Sequence, residues 1–192
     1  MDLQVAKLRA AAVAATGLLC VIAMAPPAAA ATMTCEAFRS ALWHAISDAG
    51  DKVAQPRLDH LGYARPDGTF HRYDMAGIVG LEGILRCAEN DQLEAFGATA
   101  KIDADDGTLR LYRLSALGAA TICAAAPAKK PAACKRLADK LTTAAVKGFA
   151  RAAVRGEEEP SDFTKEDIGN GYGIEFDARE GELSFDLVPP LK

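Results

Sequence analysis

The chain has 192 residues, of which 50% are hydrophobic, 25% charged and 6% aromatic, and a formal net charge of −4. That balance excludes a disordered chain, a collagen-like fibre and a polytopic membrane protein. A mildly acidic overall balance also gives no global pointer to nucleic acid as a partner.

Residues 1 to 31 read as a secretory signal peptide. Lys7 and Arg9 form a short basic region, an apolar run follows from Ala10 to Ala25, and Pro26, Pro27 and Ala28 to Ala31 supply an A-x-A cleavage frame. The run is shorter than the roughly 20 residues that span a bilayer, which favours a cleaved signal over an anchor. Cys20 follows Leu18-Leu19, where a lipobox needs a small residue, so it is expected to leave with the signal. Cleavage leaves residues 32 to 192, with a net charge of −5, as one globular domain. A chain of that size buries roughly 70% of its unfolded surface.

Cys35, Cys87, Cys123 and Cys134 remain after cleavage. In an exported protein four cysteines imply two disulfides, with three possible connectivities. Cys123 and Cys134 flank an Ala/Pro/Lys connection, a spacing that suits a bridge from the end of one helix to the start of the next. The preferred pairing is therefore Cys123–Cys134 with Cys35–Cys87, the second tying the first helix to a strand. There is no C-x-x-C and no Cys/His ligand spacing, so no metal site is expected.

In chain order, Cys35 to Ala49 reads as a helix on the spacing of Ala37, Phe38, Leu42, Ala45 and Ile46, with Thr34 as N-cap and Gly50 beyond the end. A polar, proline-bearing stretch then runs to Gly68. Thr69 to Asp74 carries strand-type residues, and Ile78 to Cys87 and Gln92 to Ile102 read as two further strands joined at Glu89-Asn90-Asp91. Helix returns near Thr108, capped by Asp105 or Asp106, with Leu109, Leu111, Leu114, Leu117, Ala120 and Ile122 as its stripe. A second helix spans Ala132 to Arg155. Gly171 to Asp177 and Glu182 to Val188 then alternate cleanly, pointing Tyr172, Ile174, Phe176, Leu183, Phe185 and Leu187 inward, and Pro189-Pro190 ends the pattern. The prediction is an α+β fold in the order α-βββ-αα-ββ, an antiparallel sheet of about five strands with helices on one face. This order of elements resembles that of type III secretion chaperones; the resemblance lies in element order alone, with no family motif beside it.

Candidate chemistry is sparse. Asp103-Ala104-Asp105-Asp106-Gly107 resembles the start of a calcium loop, but its glycine falls at position 5 and Leu114 stands where a bidentate glutamate belongs, so it reads as a helix-capping turn. His44, His60 and His71 never recur at i, i+3 or i+4, so no helix presents two of them to a metal. His44 sits beside Trp43, and His71 and Asp74 could meet Tyr63 or Asp59 only through the fold. No nucleophile elbow, zincin or P-loop string occurs. Gly169-Asn170-Gly171-Tyr172-Gly173 precedes a strand and reads as a turn rather than a phosphate cradle. Glu175, Asp177, Glu182 and Asp186 fall on the wet face of the last hairpin, where alternation alone demands polar residues.

Charge is unevenly placed. Residues 129 to 155 carry a local charge of +7, and residues 156 to 192 carry −8. At 100° per residue Arg136, Lys140, Lys147, Arg151 and Arg155 fall within about 100° of arc. The stripe is either a solvated face partly neutralised by the acidic tail or a contact for an anionic partner, an acidic envelope protein or an anionic surface. Few aromatic residues flank it, which argues against nucleic acid. The sequence therefore points to a periplasmic or secreted binding or accessory module without cofactor, catalytic residue or transmembrane segment after cleavage. The alternatives are an envelope hydrolase acting on glycan or peptide through His71, Asp74 or the hairpin carboxylates, and an inhibitor of an envelope enzyme.

Overall fold

A computed structural model describes residues 33–48, 57–65, 68–103, 105–157 and 161–188. The signal-peptide reading, Ala49-Gly50 and Pro189-Pro190 lie outside the described residues. The elements run α1 (Cys35–Asp48), β1 (Arg57–Arg65), β2 (Gly68–Ala76), β3 (Leu81–Ala88), β4 (Leu93–Lys101), α2 (Gly107–Ala125), α3 (Pro131–Val154), β5 (Asp162–Gly169), β6 (Tyr172–Arg179) and β7 (Glu182–Val188). The fold is α+β, and the strands form one antiparallel sheet in the order β1-β2-β3-β4-β7-β6-β5. The α2–α3 pair carries the chain from the central strand β4 to the edge strand β5, and β6 and β7 then return to β4.

Two strands are added to the predicted order, which becomes α-ββββ-αα-βββ. β1 falls in the stretch read as a polar connection. It is an edge strand that pairs with β2 at every position from Arg57↔Ala76 to Arg65↔Gly68, so a backbone ladder rather than apolar alternation defines it. β5 is the other edge, and only Ile168 of its residues is buried. Its helix-facing positions are anchored by polar contacts instead: the Thr164 hydroxyl donates to the Leu141 carbonyl at 3.3 Å, and Glu166 pairs with Lys140. The third strand also starts later than predicted, at Leu81, because Gly77 and Gly80 turn the chain between β2 and β3.

α1 begins where the periodicity places it. The Thr34 hydroxyl accepts the Ala37 N–H at 3.1 Å, and Phe38, Leu42 and Ile46 recur at four-residue spacing on the buried face. The Cys35 N–H donates to the Asp91 carbonyl, and the Cys35–Cys87 disulfide holds the same turn of α1 to β3. Asp106 stands at the N-cap of α2, yet its side chain makes no capping bond; it accepts Arg110 Nε at 2.6 Å. Leu109, assigned to the stripe, is 47% exposed, whereas Leu114, Leu117 and Ile122 are fully buried. The difference is angular: at 100° per residue Leu109 falls at the edge of the arc that the buried residues of α2 occupy, while Gly107 in the same turn is buried.

The core lies between the sheet and the helix layer. A row of rings crosses it, Phe38 to Phe96 at 5.3 Å, Phe96 to Phe185 at 6.0 Å and Phe185 to Phe176 at 5.6 Å, joining α1 to β4, β7 and β6. Tyr172, Ile174, Phe176, Leu183, Phe185 and Leu187 all point into it, as the alternation predicts. Close approach of α2 to β6 depends on Gly118, where a Cβ would stand 2.7 Å from Phe176 Cζ.

Candidate functional site

α3 presents the predicted basic residues on one exposed face. It begins with Pro131 at its first turn, and Cys134, bonded to Cys123, ties that turn to the end of α2. Cys134, Ala138, Leu141, Ala145 and Ala152 form its buried side, small enough to let α3 lie close against α2, β5 and β6. Arg136, Lys140, Lys147, Arg151 and Arg155 remain exposed.

The chain's own carboxylates reach two of the five. Lys140 Nζ lies 3.2 Å from Glu166 Oε2, and Arg155 Nη2 lies 2.6 Å from Glu157 Oε1. Among the described residues Arg136, Lys147 and Arg151 have no carboxylate partner; Arg151 Nε donates to the Lys147 carbonyl at 3.3 Å. The partial neutralisation expected from the acidic tail is thus present at Glu157 and Glu166. Val154, 89% exposed, sits within the same face.

On the other side of α3 the helix layer forms a groove of about 570 Å³ that the sequence reading missed. α2 is its floor, through Ala116, Ala119 and Cys123, and α1 and α3 are its walls, through Ala41, Ala45 and Ala132. Polar groups stand at its margins. The Ser115 hydroxyl donates to Asp139 Oδ1 at 3.0 Å, and Lys135 Nζ lies 2.5 Å from Asp139 Oδ2. Lys129 is half-buried at the α2–α3 turn. His44, on the α1 wall, is exposed. The only sequence signal for this groove is the small residues on the outward stripe of α2, which look like filler until α1 is placed beside them.

The far face of the sheet is open and polar. Glu175, Asp177, Glu182 and Asp186 project from it, as predicted for a wet face, with Lys165 Nζ 2.6 Å from Glu175 and Arg179 Nε 2.7 Å from Asp177. Asp186 stands opposite Glu175 in the ladder. Desolvation pushes its carboxyl above the ordinary range; Glu175 and Asp177 push the same way, and Arg86 opposes them.

The β1–β2 ladder brings the remaining candidates to neighbouring positions: Asp59 stands opposite Asp74, and His71 stands opposite Gly62, next to Tyr63 in the ladder; the side chains of Asp59, His60, Tyr63 and His71 lie outside the described ones. Trp43 stacks on α1 with the Arg39 guanidinium, whose carbon lies 5.6 Å from its ring and 5.2 Å from that of Tyr73. The acidic turn leads into α2 at Gly107, and within the glycine-rich string Asn170 and Gly171 form the β5–β6 turn. Cys35, Cys87 and Asp91 gather within 4.8 Å, but a disulfide joins the two sulfurs, which removes the thiolates a metal would need. The two disulfides fit an oxidising, non-cytoplasmic compartment. Among the described residues no helix is long and apolar enough to cross a membrane. No protein-family model, curated protein or solved structure matches the chain.

Proposed function

We propose that this protein is an exported, non-enzymatic binding or accessory module of the bacterial envelope, and that it meets an anionic partner through the basic face of α3. The observation that carries this reading is Arg136, Lys147 and Arg151 standing exposed on one helix face with no carboxylate partner among the described residues, in a chain of net negative charge. Charges left unpaired in this way concentrate positive potential where the rest of the molecule has little. The tripartite N-terminus and the two disulfides support an address outside the cytoplasm.

Each basic residue near an anionic surface contributes about 1 kcal/mol. Reversing Arg136, Lys140 and Arg151 together removes about two such contributions in full, and that of Lys140 beside Glu166 in part, and adds repulsion, a loss of more than about thirtyfold in affinity. The test is capture of an envelope partner, and cosedimentation with phosphatidylglycerol vesicles, by the parent and the triple glutamate variant. Capture by the parent alone supports the surface; equal capture by both refutes it.

The second reading, an envelope hydrolase, is favoured by Asp186 and Glu175 standing opposite each other in the β6–β7 ladder, where desolvation pushes the Asp186 carboxyl up. A glycan- or peptide-hydrolysing activity lost in Asp186→Asn would replace the first reading.

A further inference from the structure

The groove over α2 is a second feature, separate from the basic face, and its chemistry is specific. Its lining between the polar margins is mainly alanine and proline with half a disulfide, interrupted by Tyr112 and His44, and its volume of about 570 Å³ falls in the range of small-molecule sites, roughly 300–1,000 Å³. Along α2 it runs from Tyr112 to Cys123. At 1.5 Å per residue that is about 16 Å, room for one extended chain lying along the helix.

Its margins differ in charge. At the end near Ser115 the Asp139 carboxylate is fully engaged, one oxygen by the Ser115 hydroxyl and the other by Lys135. At the opposite end Lys129 lines the groove beside Pro127 and Pro131, half-buried, and among the described residues it has no carboxylate partner. A lysine at the end of an apolar trough, with no carboxylate partner among the described residues, complements one kind of molecule. We infer that the groove binds a single-chain anionic amphiphile, its alkyl chain along Ala116 and Ala119 and its carboxylate or phosphate head at Lys129. This inference does not depend on the basic face of α3, because none of that face's five residues lines the groove.

The test is fluorescence titration of the purified, oxidised protein with cis-parinaric acid, followed by displacement with palmitate, lysophosphatidylglycerol and the uncharged hexadecanol. Saturable binding at one site per chain is expected, with palmitate or lysophosphatidylglycerol displacing the probe at least about tenfold better than hexadecanol. Whichever of the two displaces it better identifies the head group as a free carboxylate or a lipid phosphate. Lys129→Glu should weaken palmitate about tenfold and leave hexadecanol unchanged. Ala132→Trp, at an exposed position in the first turn of α3, should block both without disturbing the core. Absence of saturable binding, equal displacement by hexadecanol, or parental affinity in both variants would overturn the inference. Far-ultraviolet circular dichroism of both variants keeps a folding defect apart from a binding one.

Discussion

Gly97 on β4 and Asp186 on β7 face each other in the ladder, and the Asp186 carboxylate fills the space that a Cβ at position 97 would need. The pair couples the two halves of the sheet across its central junction. Gly97→Ala should therefore destabilise the protein by about 1 kcal/mol or more, because the carboxylate must swing away from β4. The same substitution made in an Asp186→Ala background should cost less, leaving only the approach of the new Cβ to the Phe185 carbonyl oxygen at 3.0 Å. A double-mutant cycle by urea denaturation checks this, and additive effects would mean that the two residues do not share the space.

Asp186 also gives stability a pH dependence. Its folded-state carboxyl holds the proton more tightly than its ordinary value of 3.8 requires, chiefly through desolvation. The folded state thus binds the proton in a window where the unfolded state has released it. Stability falls as pH rises from the ordinary value through the raised one, and the penalty persists above it. Asp186→Asn should raise Tm at neutral pH, with the gain disappearing below about pH 3.8. A gain of equal size at every pH would assign the effect to packing instead.

At Gly118 two effects oppose each other. Replacing a mid-helix glycine by alanine favours the helix by about 1 kcal/mol. The added methyl, however, would stand 2.7 Å from Cζ of Phe176, which is fully buried and has nowhere to retreat. Overpacking of this kind costs about 1–3 kcal/mol, so Gly118→Ala should be destabilising on balance. Chemical denaturation of the variant decides the sign.

The disulfides should contribute in the order of their loops. On the chain-entropy model, Cys35–Cys87, with a separation of 52 residues, is worth about 4 kcal/mol and Cys123–Cys134, with a separation of 11, about 3 kcal/mol. Paired Cys→Ala variants compared by guanidinium unfolding should show the larger loss for the first. The reverse order would place the stabilisation in the α2–α3 corner rather than in the closed loop.

Much of the fold was legible because its core strands and helices carry their burial in the sequence. Phe38, Leu42 and Ile46 announce α1, and the alternation from Tyr172 and from Leu183 announces β6 and β7. The Cys123–Cys134 pairing followed from positions at facing helix ends, and Cys35–Cys87 was the pair that remained. What stayed hidden was either polar or tertiary. β1 is held by backbone pairing, and β5 turns Thr164 and Glu166 toward α3, so neither shows apolar alternation. Leu109 matches the helical period but falls at the edge of the buried arc and stays half exposed. The basic face was readable from periodicity, whereas its ion pairs with Glu157 and Glu166 needed the fold. The groove depends on α1 lying beside α2, a relation that no local pattern encodes.

The measurement closest to the central claim is partner capture by the oxidised protein from an envelope extract as salt is raised. Screening shortens to about 3 Å at 1 M salt, so contacts made by exposed α3 cations should be lost there. A specific partner should be held at low salt, released at high salt, and not recovered by the Arg136→Glu, Lys140→Glu, Arg151→Glu variant at either. A partner retained at high salt, or retained by the variant, would contradict this and leave the basic face of α3 as solvated surface.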